Sequence, residues 1–177
     1  ATNWDFMMDK IRNAKRPIKV LNLFGYTGGA TVACSKAGAE LVVHVDAAKG
    51  MVEWAKENAQ LSGVKNNYIR FLVDDCLKFI VMDPPSYGRG PSGEVWKLEK
   101  NLEELVSRCV LLLSDNPLFF LINAYTTGVS STVLYNILKL TVGKSYGGVI
   151  DAGEIGLPIS KNDLVLPCGI YGRWQDE

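Results

Sequence analysis

The stretch "PIKVLNLFGYTGGATVACSKAGAELVVHVD", Pro17 to Asp46, changes its pattern twice. Pro17–Phe24 is a short apolar run that stops at glycines, which suits a buried strand. Gly25-Tyr-Thr-Gly28-Gly29 then makes a turn, and Gly29–Gly38 has the composition of a short helix with Gly38 as its stop. Ala39–Val45 is a second apolar run, and an acidic residue, Asp46, follows it at once. Strand, glycine turn, helix, strand and carboxylate form one unit of a parallel sheet. Glycines at such a turn let a ligand approach the backbone at a helix N-terminus. A carboxylate at the end of the second strand can accept both hydroxyls of a ribose. The same residues also fit an ordinary turn followed by a helix-capping aspartate. The spacing is not G-x-G-x-x-G, so the dinucleotide fingerprint is not met.

The alternation continues outward. Ala48–Gly63 reads as a helix with Met51, Trp54, Ala55 and Ala59 on one face, and Tyr68–Val73 as a third strand. Ile80–Asp83 is the end of a fourth strand. Val95–Ser114 is a long amphipathic helix, Leu118–Asn123 a further strand, and Ser131–Leu140 another helix. Strands around Val149–Ile155 and Leu164–Tyr171 close the chain, and residues 1–16 lead in as a helix. Strands separated by helices imply right-handed crossovers and an α/β fold, a mostly parallel sheet with helices on both faces. The 177 residues suffice for one domain with a sizeable core.

One place does not fit. A crossover with its helix needs at least ~10–12 residues, yet only seven separate Asp75 from Asp83. We therefore expect the natural chain to hold a further segment between Phe79 and Ile80. An intact mass equal to that of these 177 residues would exclude it.

Asp75, just past the third strand, has a side-chain acceptor suited to an exocyclic amine; "DDCLKF" equally reads as a helix start, with Asp74 capping it. In "DPPSYG", Asp83 to Gly88, two prolines fix φ and donate nothing, giving a stiff turn with carbonyls turned to a ligand. Asp83 and the Pro84 carbonyl, held close together, suit the edge of a planar N–H-bearing group on which Tyr87 would stack; the same residues also fit a plain loop of rigid turn residues.

Taken in order, these motifs resemble the class I S-adenosylmethionine-dependent methyltransferases. "VLNLFGYTGGATVACSKAGA", "VDAAKGMVEWAKENA" and "MDPPSYGRG…GEVWKLE" are similar to the group that includes bacterial 23S ribosomal RNA large-subunit methyltransferases. The resemblance implies a Rossmann-like, seven-stranded sheet with the last strand antiparallel. It implies that Asn22, Phe24, Gly25, Tyr26, Thr27, Gly28 and Gly29 hold the methionine part of S-adenosylmethionine. Asp46 takes the ribose, Ala47 flanks the adenine, and Asp75 binds the adenine amine with the Cys76 amide nearby. Asp83, Pro84, Pro85 and Ser86 line the methyl-transfer site. RNA is the substrate expected from the resemblance, with Tyr87, Arg89, Trp96 and Asn123 on its side. Relatives often carry an extra N-terminal RNA-binding module.

One departure bears on the reaction. Relatives that methylate carbon 5 of a pyrimidine need a cysteine thiolate, because that carbon is not nucleophilic by itself. In them the cysteine follows the strand-four or strand-five motif, where this chain reads "DPPS" and "NAYTT". Neither Ser86 nor Thr126–Thr127 replaces a thiolate, and Cys168 in the last strand reads as packing. Direct transfer to a base nitrogen is therefore expected. Replacing all four cysteines and losing only methyl transfer would overturn this.

Composition sets bounds. Lys+Arg and Asp+Glu both number 19, so net charge lends no support to nucleic-acid binding. Cys34, Cys76, Cys109 and Cys168 lack zinc-ligand spacing, and free thiols in a reducing cytoplasm, with no metal, are expected. No apolar run approaches the ~20 residues of a membrane span. His44, the single histidine, lies mid-strand and reads as structural. The basic stretch Lys10–Lys19 is a solvated face or a phosphate contact surface. A protein or small-molecule methyltransferase, a nicotinamide-dependent oxidoreductase and a non-catalytic RNA-binding module are the other readings.

Overall fold

The computed structural model describes residues 2–64, 68–74, 84–89, 95–126, 128–161 and 164–176. They fall into two compact units, residues 1–82 and 83–177.

In the first unit α1 (Thr2–Asn13) precedes β1 (Lys19–Leu23), α2 (Gly29–Lys36), β2 (Leu41–Asp46), α3 (Lys49–Leu61) and β3 (Ile69–Val73). The strands form a parallel sheet in the order β1-β2-β3. Its core joins Val20, Leu23, Val42 and Val45 of the strands to Val52, Ala55 and Ala59 of α3. Met7 and Ile11 of α1 are buried, and Met7 meets the Cys34 thiol at 3.9 Å. The buried face of α3 differs from the expected one. Val52 takes the inner position, whereas Trp54 is half exposed. Residues 52, 55 and 59 lie on one helical face, and Trp54 falls a full 100° step short of Ala55.

In the second unit β4 (Tyr87–Arg89) pairs antiparallel with β5 (Val95–Lys97), and α4 (Leu98–Val110) follows directly. The expected helix over Val95–Ser114 thus begins three residues late. Val95 and Trp96 favour a strand once a partner strand is available, and the Asn101 side chain accepts from the Lys97 amide where the helix starts. Then come β6 (Phe119–Ala124), α5 (Ser131–Leu140), the short α6 (Val142–Tyr146), β7 (Val149–Pro158) and β8 (Val165–Gln175). Their sheet order is β6-β8-β7, and β8 runs antiparallel to both neighbours, as expected of the last strand. Phe120 and Trp174 face each other across β6 and β8 and are buried with Leu134, Leu138 and Val142.

The single seven-stranded sheet needs correction. The described residues form sheets of three, two and three strands. The fourth strand expected at Ile80–Asp83 falls outside the described residues, and Tyr87–Arg89 pairs locally with Val95–Lys97 instead of lengthening a large sheet.

Candidate active site

The turn between β1 and α2 has an unusual backbone. Phe24 and Tyr26 adopt φ of 50° and 47°, and Gly28 adopts 85°. Non-glycine residues in the left-handed region cost of order 1–3 kcal/mol each and persist only where the surroundings impose them. Here the next strand imposes them. The Gly25 amide donates to the Val45 carbonyl at 3.0 Å, and the Tyr26 amide donates to Oδ2 of Asp46 at 3.0 Å. The other carboxylate oxygen, Oδ1, accepts from the Ala48 amide at 2.9 Å. Asp46 thereby joins the glycine turn to the residue that begins α3; the helix N-cap is Ala48, with no side-chain cap, so Asp46 is not the capping residue. Farther along α3, Asn58 Nδ2 donates to the Thr27 carbonyl at 2.9 Å.

Close approach explains the glycines. A Cβ on Gly25 would lie 2.4 Å from Cε1 of His44, and one on Gly29 would lie 2.6 Å from the Trp4 ring. On Gly28 a Cβ would meet that of Ala55 at 3.0 Å.

Beneath the turn is a buried polar row. Asn22 Nδ2 donates to Thr31 Oγ1 at 2.8 Å, and Thr31 Oγ1 is hydrogen-bonded to Nδ1 of His44 at 2.9 Å. All three are at most 5% exposed. Asn22 and His44 are register partners on β1 and β2, and Phe71 of β3 completes the row beside His44, with ring centroids 5.3 Å apart. The Asn22 side chain therefore points into the interior. Nε2 of His44 has no hydrogen-bond partner among the described residues.

Desolvation by burial pushes the His44 pKa down to about 4 from 6.5, and the Asp46 carboxylate opposes this in part. The folded pKa lies below the unfolded one, so the unfolded chain takes up the proton more readily. The stability contributed by neutral His44 is complete above pH 6.5 and is lost as pH falls through 4. We expect urea midpoints of the wild type to fall over that window by more than those of a His44→Phe variant. Parallel curves would refute the assignment.

In the second unit Pro84 is buried, while Pro85, Ser86 and Tyr87 are exposed. The Leu98 amide donates to the Ser86 carbonyl at 3.2 Å, and two side-chain contacts also hold this turn. Trp96 Nε1 donates to the Pro85 carbonyl at 2.8 Å, and Thr126 Oγ1 donates to Ser86 Oγ at 2.6 Å. The Pro85 carbonyl is thus engaged within the protein rather than turned to a ligand. Gly169, with φ of 132°, packs against Tyr125 and the Ala124 carbonyl, since a Cβ there would lie 2.7 Å from that oxygen. Asn123 is half-buried on β6 opposite Tyr171.

Of the expected site residues, Phe24 to Gly29, Asp46 and Ala47 come together in the first unit, with Asn22 below them. Pro85, Ser86 and Trp96 come together in the second, joined there by Thr126, which the sequence reading did not place in the site. Asp75, Cys76 and Asp83 lie outside the described residues, as does the Arg89 side chain. Thr31, Ala48 and Asn58 were not anticipated. The two polar residues set opposite each other in strands of apolar neighbours, Asn22 and His44, were the signal for Thr31, once the register is known. Burial raises the thiols of Cys34 and Cys109 to about 12, which leaves them poor nucleophiles. No helix among the described residues is long and apolar enough to cross a membrane.

Comparison with known proteins bears on the family. The chain is 34% identical to the SAM-dependent methyltransferase of Agrobacterium tumefaciens, with a TM-score of 0.90, over 99% of this chain and 61% of that one. It is 33% identical to the ribosomal RNA large subunit methyltransferase K/L of Shewanella frigidimarina over 109 residues, 55% of this chain and 15% of that protein. With the Vibrio cholerae protein of the same name the identity is 40% over 77 residues, 38% of this chain and 11% of the other. The chain thus spans a small part of these curated relatives. Residues 8–130, well over half of the chain, match the family described as S-adenosylmethionine-dependent methyltransferase, and with its α/β fold the chain belongs to that family.

Proposed function

We propose that this chain binds S-adenosylmethionine and transfers its methyl group to RNA, at a base nitrogen and without a covalent cysteine intermediate. The observation that carries the cofactor half is the Asp46 carboxylate, fixed by the amides of Tyr26 and Ala48. A carboxylate offers about four acceptor sites. Two are taken, and two remain for the vicinal hydroxyls of a ribose. The Gly25, Tyr26 and Gly28 amides are engaged within the protein, so positive φ at Phe24, Tyr26 and Gly28 shapes the turn that would lie against the methionine moiety rather than supplying a run of free amides. Exposed Ala47 flanks the adenine, with Asp75 and the Cys76 amide at its edge. The residues fit the group.

When bound, S-adenosylmethionine supplies an electrophilic methyl carbon on a sulfonium. The protein then has chiefly to align a nucleophile with it. Asp83 and the Pro84 carbonyl orient an amine and stabilise its developing positive charge. Trp96 and Thr126 hold the Pro85–Ser86 segment in place for this task. Tyr87 stacks on the base, with Arg89 and Asn123 beside it. RNA as substrate is supported by the names of the relatives and not by net charge; a protein or small-molecule acceptor is the rival.

Calorimetric titration with S-adenosylmethionine and with NAD tests the cofactor, and saturable binding of NAD alone would refute the reading. Tritiated methyl transfer to RNA from cells lacking the gene, followed by mapping of the modified base, tests the substrate. Asp83→Ala is expected to abolish transfer and to leave cofactor affinity within a few fold; equal loss of both contradicts the role given to Asp83.

A further inference from the structure

Three consecutive residues of β2 support the β1–α2 turn. The His44 ring lies under Gly25, the Val45 carbonyl takes the Gly25 amide, and the Asp46 carboxylate takes the Tyr26 amide. Asp46 and the turn belong to the cofactor reading already given. His44 does not, and its surroundings show that it is more than filling.

The Phe24–Gly28 turn is tethered at both ends. Asn22 precedes it and Thr31 follows it, and their side chains bond to each other at 2.8 Å. Thr31 also bonds to His44 at 2.9 Å. The two ends are thus drawn together over one imidazole, while the middle of the turn rests on that same ring. The turn holds two non-glycine residues at positive φ, a conformation that relaxes unless something opposes it. His44 opposes it from below, with no exposed surface of its own through which to yield.

We propose that His44 is a positioning residue for cofactor binding: acting through Thr31, Asn22 and its contact with Gly25, it holds the Phe24–Gly28 turn in the form that receives S-adenosylmethionine. The inference rests on the function proposed above. His44 touches neither the cofactor nor the methyl acceptor; it acts through the turn. Because the ring lies against Gly25, ligand seated on the turn is expected to alter the surroundings of His44. The other groups around it are neutral at Asn22, Thr31 and Phe71. The charge that acts on it is Asp46 on its own strand; Lys56 of α3 lies over the neighbouring Phe71 ring, its Nζ 6.0 Å from the centroid.

The test uses Thr31→Val, which keeps the side-chain shape and removes the hydroxyl, and Thr31→Ser, which keeps the hydroxyl. Losing the buried hydrogen bonds is expected to raise the Kd for S-adenosylmethionine roughly tenfold or more in Thr31→Val. Thr31→Ser should remain near the wild type. Because His44 is the single histidine, its ring-nitrogen NMR signals identify themselves. In the wild type they should shift on titration with S-adenosylhomocysteine and saturate at the calorimetric Kd. A folded Thr31→Val variant with wild-type affinity overturns the proposal, and so do ring signals unmoved at saturation. The ring signals decide alone if Thr31→Val does not fold. Should the wild type bind neither compound, the proposed function fails instead. Hydrogen exchange at the Gly25, Tyr26 and Gly28 amides then decides the positioning role: faster exchange in Thr31→Ser than in wild type is not expected, and faster exchange in folded Thr31→Val, or in His44→Phe if that variant alone folds, supports it. Unchanged exchange in the folded variant overturns it.

Discussion

Gly25→Ala is expected to lose S-adenosylmethionine binding and to unfold at markedly lower temperature. The added methyl would lie 2.4 Å from Cε1 and 2.5 Å from Nδ1 of His44. Neither partner has room to move. His44 is fully buried and bonded to Thr31, and the Gly25 amide is bonded to Val45. Overpacking of this kind costs about 1–3 kcal/mol, and much of the relief would come from lifting the turn off β2. That movement breaks the geometry around Tyr26 and Asp46, so binding should suffer more than stability. Pairing Gly25→Ala with His44→Ala removes the ring that causes the clash. The double variant should be less destabilised than the sum of the two single ones, as contacting residues are non-additive. Additive urea midpoints would show that the clash is absorbed elsewhere.

Asp46→Ala should be the second severe change, and it too should act on affinity before stability. Two amides, those of Tyr26 and Ala48, lose a charged acceptor at once, and the proposed ribose hydroxyls lose theirs. A rise in Kd of about 100-fold corresponds to about 2.8 kcal/mol, within what two charge-assisted hydrogen bonds supply. The variant should still fold, since Asp46 is partly exposed and the helix start can be solvated. Asp46→Asn keeps one acceptor oxygen and should fall between. Calorimetry on the three proteins orders them, and wild-type affinity for Asp46→Ala would remove Asp46 from the site.

Gly25 and Asp46 are both legible in the amino-acid sequence. Strand, turn, helix and strand each have a period or a punctuation of their own, and the carboxylate stands at the end of a run. The direction of the Asn22 side chain was not legible. Its place in the chain groups it with the turn, yet strand alternation and the pairing with His44 turn it inward, and pairing register is a tertiary fact. Thr31 was hidden for the same reason, being one polar residue in a short helix until two strands deliver Asn22 and His44 to it. The start of α4 failed differently. Val95–Lys97 continues the apolar pattern of the helix that follows, and only pairing with Tyr87–Arg89 shows it as a strand. On α3, apolar Trp54 was counted with the buried face although its angular position is wrong.

The second unit also carries a consequence for handling. Among the described residues β7 stands at the end of its sheet for all ten residues, and β8 runs on past the last residue that β6 pairs with. Long borders of this kind present unpaired backbone groups and invite another chain to add a strand. Leu157, Val165 and Leu166 are exposed there, which would favour such growth. The same stretch has a register break between Ile155 and Gly156, acidic Asp151 and Glu154, and Pro158 and Pro167, which have no N–H to offer. Aggregation from this border is thus checked by irregularity, charge and missing donors, and substitutions that regularise it would trade solubility for a better-paired hairpin.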